Sequence, residues 1–408
     1  MIKYQQSRKP HSVKLRYNGS KLDQNLHLCL EKYQRGDTSN MENSTLWQVN
    51  DTMTTPVYYS LYPYKARAGL VIVWVVASIL GLVGNSLVMW SVILSKKLRT
   101  VTNAFVVNLS VADFWTSLSY PWICIALVSH ESWPMESEFP CILAAIQLYT
   151  GLGTSFYTLA SIALNRTVLI TQPMHTYRWW YSPRKVAVMI AMTWVIPCIV
   201  FFLPPLMGIG SIGYDPQDNT CSDKDGHERG PEYNLAQSVG LYPIPMLIII
   251  CCYTSLYIHL KQHFRKQQRM RSVKSSQSFS TAASMDGEVS TSFTVTAGES
   301  ASSQRVAKKT KRAISRQQLA ITKNLFLVFC IFTLLISPYF ISLAIPGSRV
   351  FALPGVTITA FNSCVNPIIY AVNHPQFKVV MRQIVTCRYS EIQEPSDLLK
   401  LLLSLRKK

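Results

Sequence analysis

Asp113 is the one charged side chain in the apolar run 103–128, and an isolated carboxylate is expensive to hold away from water unless a cation or polar groups meet it. Asn85, Ser155, Asn362, Ser363 and Asn366 lie at similar depths in other apolar runs and are able to surround it. Such a set suits a sodium ion with oxygen ligands and water; the alternative is a protonated or hydrogen-bonded structural aspartate. His259 and His263 are four residues apart and share a helix face, but no third ligand accompanies them and a solvated pair is the simpler reading. An enzyme would need paired acids, clustered histidines or a nucleophile with its base at a common depth, and a transporter or channel a run of polar groups or paired broken helices; the sequence offers neither pattern. Of ten cysteines, Cys124, Cys198, Cys251, Cys252, Cys330 and Cys364 lie inside apolar runs as small hydrophobes, which leaves Cys29, Cys141, Cys221 and Cys387 for special chemistry.

The elements that must hold these residues are set by composition. The chain has 408 residues, 49% hydrophobic and only 15% charged, whereas about a quarter of an average globular chain is charged. Mean hydropathy is +0.15 in spite of long polar stretches, so other stretches are more apolar than a soluble core requires, and a simple cytosolic enzyme is excluded. Seven runs are long enough to cross roughly 30 Å of hydrocarbon as helix: 68–94, 103–128, 140–164, 186–211, 233–258, 324–348 and 350–373. None alternates with period two, and lipid offers no partner to backbone N–H and C=O groups, so each is a helix. The fold class expected is an all-α membrane protein, a seven-transmembrane helix bundle.

Forty Lys and Arg against twenty-one acids give a net charge of +19, and the location of those charges separates the possible partners. Lys96, Lys97 and Arg99 occupy one loop, while the next carries Glu131, Glu136 and Glu138; Arg166, Arg178, Arg184 and Lys185 follow, then the acid-rich 212–232. The segment 259–323 and the tail from Lys378 are basic again. Lysine and arginine near helix ends stay on the cytoplasmic side, so this alternation puts the N-terminus outside and the C-terminus inside. Charge partitioned by topology speaks against nucleic acid. Asn18, Asn43 and Asn50 head glycosylation triplets in the outer tail, whose basic stretch before Met41 has neither signal core nor fold pattern; Met41 itself reads as an alternative start. No repeat is visible. Residues 272–303 are rich in Ser, Thr and Ala, the signature of a flexible loop, and the basic clusters 261–274 and 305–323 beside it are able to extend helices toward anionic lipid.

Marker residues then fall one to a helix, in order: GLVGNSLV with Asn85, LSVADF with Asp113, Cys141, Asn165-Arg166, Trp194, Pro245 with Tyr253, Pro338, and Asn366-Pro-Ile-Ile-Tyr370. This series, over about 65 to 387, resembles the rhodopsin-like G-protein-coupled receptors. The resemblance implies a disulfide between Cys141 and Cys221, a sodium-linked site at Asp113, Ser155, Asn362 and Asn366, and an arginine, Arg166, that on activation reaches toward Tyr253, Tyr370 and a heterotrimeric G protein. It makes Phe156, Pro245 and Phe332 the trio that repacks when the sixth helix, kinked at Pro338, swings. It further implies an extracellular disordered tail 1–65, a receptor domain 66–387 with a largely disordered cytoplasmic loop 264–317, and a cytoplasmic tail 388–408, all in a plasma-membrane protein with no enzymatic role.

Three departures from that pattern stand out. Asn165-Arg166-Thr167 replaces Asp-Arg-Tyr, Gln318 replaces the acid at the inner end of helix six, and Leu335-Ile336-Ser337-Pro338 replaces Cys-Trp-x-Pro. The first two remove anionic partners of the arginine, each worth on the order of 1.5–3 kcal/mol as a charge-assisted hydrogen bond, so raised basal activity is expected.

Leu148 stands where amine receptors carry an aspartate. The expected pocket residues Tyr120, Trp122, Gln147, Leu148, Leu152, Gln237, Ser238, Tyr339 and Phe340 are mainly aromatic and apolar, chemistry for a neutral small molecule. The acid-rich 212–232 keeps a basic peptide as the alternative. Asn165-Arg166 together with GYDPQDNTC is similar to the melatonin receptors and the invertebrate Trapped-in-endoderm and Moody-type receptors. Beyond Tyr370, 375–386 resembles the short amphipathic eighth helix, with Phe377, Met381 and Ile384 toward lipid and Cys387 available for palmitate. Serines and threonines of 272–303 are expected targets of receptor kinases and arrestin.

Overall fold

The computed structural model describes residues 62–130, 132–224, 228–283, 321–342, 345 and 351–406. Asn18, Asn43, Asn50, Met41, Cys29, Gln318 and the stretch 284–320 lie outside the described residues. Among the described residues, seven helices are long and apolar enough to cross a membrane: Tyr64–Leu94, Val101–Val128, Phe139–Thr171, Pro183–Leu206, Gly230–Gln262, Ile321–Ser342 and Ala352–Asn373, numbered below as the first to seventh spans. The third is the hub, buried along most of its length, whereas the fourth keeps few buried residues. Its sequence explains this, because Gly151, Gly153, Ala144, Ala145, Ala160 and Ala163 let neighbours approach closely. A Cβ on Gly151 would collide with Thr116 of the second span, and one on Gly153 with Pro197 of the fourth.

Several boundaries differ from the sequence expectation. The fourth span stops at Leu206, not 211, since Gly208 and Gly210 adopt φ of +74° and +77°, where glycine is favoured and a helix ends. The third continues to Thr171, past 164, because Asn165-Arg166-Thr167 stays helical. The helix begun at Pro243 runs to Ala283 through residues read from sequence as flexible; extending an existing helix avoids the cost of nucleation. Breaks fall inside three spans: before Pro121 at Leu118-Ser119, at Tyr242 before Pro243, and at Phe361.

At the end of the bundle that holds Cys141, β1 (Ile212–Asp215) pairs antiparallel with β2 (Thr220–Asp223), with Tyr214 opposite Cys221. At the other end, Pro375–Val385 forms a helix capped by His374, whose Nδ1 accepts the Phe377 N–H at 3.3 Å. Its apolar face does not meet lipid as expected for Phe377 and Met381. Phe377 is fully buried and stacked on Tyr370, and Met381 is buried as well, because the bundle offers those side chains an aromatic surface. A further helix, Asp397–Arg406, closes the described chain.

Candidate functional site

Asp113 lies near the middle of the second span and is buried. Its Oδ1 accepts the Ser155 hydroxyl at 2.8 Å and its Oδ2 the Asn366 amide at 2.8 Å, so three spans converge on one carboxylate. Asn85 donates to Gly81 O at 2.8 Å and Ser363 O at 2.7 Å, bringing in the first span, and the Tyr120 hydroxyl meets Ser363 Oγ at 2.8 Å. Around this knot several polar atoms have no hydrogen-bond partner among the described residues: both ends of the Asn362 amide, Asn85 Oδ1 and Tyr370 Oη. Buried polar atoms are normally satisfied, so these groups call for a ligand or ordered water. Carboxylate, hydroxyl and amide oxygens form a donor set that fits a small hard cation.

At Phe156, the residue next to Ser155 on the third span, the packing turns aromatic. Phe156 meets Phe332 edge-on at 4.6 Å between ring centroids and Tyr242 at 5.6 Å, and Tyr242 stacks on Phe340 at 4.6 Å. Pro245, three residues after Tyr242 on the fifth span, is buried. Tyr242 and Phe340 thus fill the junction of the fifth and sixth spans where Leu335-Ile336-Ser337-Pro338 offers no aromatic ring. Tyr242 was not singled out from sequence; its place at the break before Pro243 is the signal that points to it.

At the far end of the third span Asn165 is fully buried, its Oδ1 accepting the Thr102 hydroxyl at 2.7 Å and its Nδ2 donating to Tyr177 Oη at 3.2 Å. Arg166 next to it is 3% exposed. Thr167 donates to Ala163 O and Cys252 O, tying the third span to the fifth. Tyr253 packs against Phe326 and Phe329 of the sixth span, and Tyr370 lies buried against Phe377. Trp194 donates to Asn108, which bonds Thr158 and Thr193, so spans two, three and four share one polar contact.

At the opposite end Cys141 and Cys221 are joined as a disulfide. The hairpin is held in addition by Glu138, which accepts the Tyr214 N–H at 2.6 Å and pairs with Lys224 at 2.7 Å. Arg67 donates to Leu127 O and Ser129 O, free carbonyls at the end of the second span. Beneath the hairpin lies a cavity of about 360 Å³ lined by Leu148, Tyr149, Tyr339, Leu353 and Val356 below and by Asp215, Asp218, Ser222, Asp223 and Asn234 toward its mouth. Tyr149 Oη lies 3.0 Å from Tyr339 Oη and 3.3 Å from Asp223 Oδ1.

Of the nine expected ligand residues, Leu148 and Tyr339 line this cavity. Tyr120 belongs to the polar knot, and Phe340 to the aromatic cluster. Gln147, Leu152 and Gln237 are buried in the bundle; Gln147 Oε1 and Gln237 Nε2 have no partner among the described residues. Trp122 and Ser238 are half-buried. Tyr149, the neighbour of Leu148, and the hairpin acids are the lining residues that the sequence reading did not single out.

A bundle that offers a ligand-sized cavity at one end and a buried arginine at the other, joined by a single central helix, has the build of a seven-span membrane receptor. Residues 84–370 match the family model for the 7 transmembrane receptor (rhodopsin family), and the chain belongs to that family, whose members are receptors and not enzymes. Relatives include the G-protein coupled receptor moody of Drosophila melanogaster, 27% identical over 78% of this chain and 51% of that protein, and Melanopsin-B of Xenopus laevis, 26% identical over 77% and 54%. Against these two the chain spans about half the relative's length. The melatonin receptor type 1C of Gallus gallus is 24% identical over 79% of this chain and 83% of its own. In fold the chain is similar to squid rhodopsin, with a TM-score of 0.64, 21% identity, and 84% and 91% of the two chains covered.

Proposed function

We propose that this protein is a plasma-membrane receptor that takes an extracellular ligand at the disulfide end and activates heterotrimeric G proteins at the arginine end. The observation that carries the reading is continuity along one helix: Leu148 and Tyr149 at the cavity, Ser155 on Asp113, Phe156 in the aromatic cluster and Arg166 at the far end all belong to Phe139–Thr171. A ligand that favours one packing of Phe156 against Phe332 shifts the sixth span and so the surface around Arg166. Loop charge supports an extracellular N-terminus, with Asn18, Asn43 and Asn50 as glycosylation sites, and receptor kinases and arrestin acting on the Ser/Thr-rich loop. A G-protein coupling profile of the unliganded receptor, with Arg166→Ala as control, tests this; no difference between the two across all G-protein classes rejects it.

The cavity floor, made by Leu148, Tyr149, Tyr339, Leu353 and Val356, favours a small molecule with a neutral, partly aromatic body. The mouth supports a second reading, a ligand with a cationic group or a basic peptide, because Asp215, Asp218 and Asp223 all line it. Competition between neutral indoles and cationic peptides in one signalling assay separates the two. Asp113, Ser155, Asn362 and Asn366 are the residues that would hold a sodium ion, whose charge would stabilise the packing of the second, third and seventh spans in the inactive state.

A further inference from the structure

The leucine-rich end of the chain has no part in the reading above, yet it is docked by a specific set of bonds. Ser95 and Pro395 form an antiparallel bridge; Lys96 N donates to Glu394 O at 2.8 Å and Ser396 N to Leu94 O at 2.8 Å. Lys97 reaches Gln393 Oε1 at 2.7 Å and Lys96 pairs with Asp397 at 2.7 Å. Ile392 and Leu399 are buried in the joint. The segment is therefore fixed to the arginine end of the first span.

Among the described residues, its other apolar face is left largely uncovered. Leu398, Leu401, Leu402 and Leu405 follow the i, i+3, i+4, i+7 spacing of one helix face and are 44%, 57%, 49% and 61% exposed. Asp397, Lys400 and Ser404 share a separate, polar side. The leucine face runs directly into the surface of the first span, where Trp90 and Ile93 are half exposed on a helix long and apolar enough to cross a membrane, a surface that suits lipid. Between them lies an apolar cavity of about 400 Å³, lined by Trp90, Leu94, Ile384, Tyr389, Leu399 and Leu402 among others. Exposed Lys96, Lys97, Arg99, Arg388 and Lys400 lie around this region and outnumber its exposed acids Glu391, Glu394 and Asp397, which leaves a basic surface where anionic headgroups would sit above such acyl chains.

We propose that Asp397–Arg406 is an in-plane membrane anchor, distinct from Pro375–Val385, whose leucine face lies in the cytoplasmic leaflet and whose cavity against Trp90 takes an acyl chain of an anionic phospholipid. The rival source of that chain is a thioester on Cys387, which is exposed and lies between the cavity residues Ile384 and Tyr389. The occupant assigned here is bilayer lipid.

The test uses the full chain with Cys29, Cys251, Cys330 and Cys387 replaced by Ser, reconstituted in phosphatidylcholine vesicles with and without phosphatidylserine. Nitroxides are placed by Leu405→Cys or Ser404→Cys. The label at 405 is expected to be at least about fivefold less accessible to a water-soluble nickel relaxer than the label at 404, and more so with phosphatidylserine present. Equal aqueous access at both positions in both lipids overturns the proposal. So does shielding at 405 that returns only when Cys387 is restored and acylated, since the chain would then be the thioester's. On the unmodified protein, a phosphatidylserine with a diazirine on its acyl chain is expected to label the peptide 384–406; labelling of the spans alone would also overturn it.

Discussion

At the scale of single residues, Asn165 carries the sharpest consequence. A carboxylate at this position would place a negative charge on the residue next to Arg166, whereas the amide spends both its ends on Thr102 and Tyr177. Asn165→Asp restores a charge partner worth on the order of 1.5–3 kcal/mol, so basal G-protein activation is expected to fall about tenfold at equal surface expression. An unchanged basal signal would show that Asn165 is not what sets it. Asp113→Asn keeps the hydrogen-bonding shape of the knot and removes its charge; sodium, which is expected to raise the melting temperature of the native receptor relative to choline, should then have no effect. Asp113 was legible because a lone acid in an apolar run has few explanations. The hairpin acids were not, since an acid in an outer loop is ordinarily solvated, and only the fold of β1 on β2 brings Asp215 and Asp223 into the cavity lining.

At the scale of elements, hydropathy located all seven spans, because length and the absence of charge are sufficient for that. It erred where another force fixes the end: glycine conformation closes the fourth span, and helix propagation carries the fifth past the membrane. The helix Pro375–Val385 gives a pH-dependent expectation. Burial, with the Arg166 charge adding to it, pushes the His374 imidazole down to about 4. When the helix undocks, the imidazole regains an ordinary value near 6.5, so between those two values only the undocked form takes up a proton. Docking is therefore fully stable above about pH 6.5 and weakens as pH falls toward 4, by up to roughly 3 kcal/mol. Hydrogen exchange of the 375–385 amides should accelerate between pH 6.5 and 5, after correction for intrinsic rates. In His374→Asn, which keeps a capping group without a titrating one, the profile should be flat. A second element-level expectation concerns the close approach of spans two and three: Gly151→Ala puts a methyl group into Thr116 and is expected to destabilise the receptor by about 1–3 kcal/mol, read as a lower thermal midpoint in detergent.

At the scale of the whole molecule, the two ends of the bundle are built on different principles, and that difference can be measured. The arginine end is packed: Arg166, Tyr370, Phe377 and His374 are all buried, and the chain's last helix is bonded back onto the first span. The disulfide end is tied, since β1 and β2 form only a short hairpin over the cavity, fixed by Cys141–Cys221 and by Glu138 to Tyr214 and Lys224. A two-stranded hairpin has no independent stability in water, so its order depends on those ties. Cutting the covalent one by the double change Cys141→Ala and Cys221→Ala should cost the hairpin about 2–5 kcal/mol while leaving the interior contacts of Asp113 and Phe156 in place. The measurement is hydrogen exchange on the full receptor. Amides of Ile212–Asp223 should exchange at least about tenfold faster in the variant, and those of Val101–Ser117 should not change. Acceleration of both together would mean that the hairpin and the polar knot unfold as one unit, and a ligand under the hairpin would then act on the knot directly and not through the aromatic cluster at Phe156.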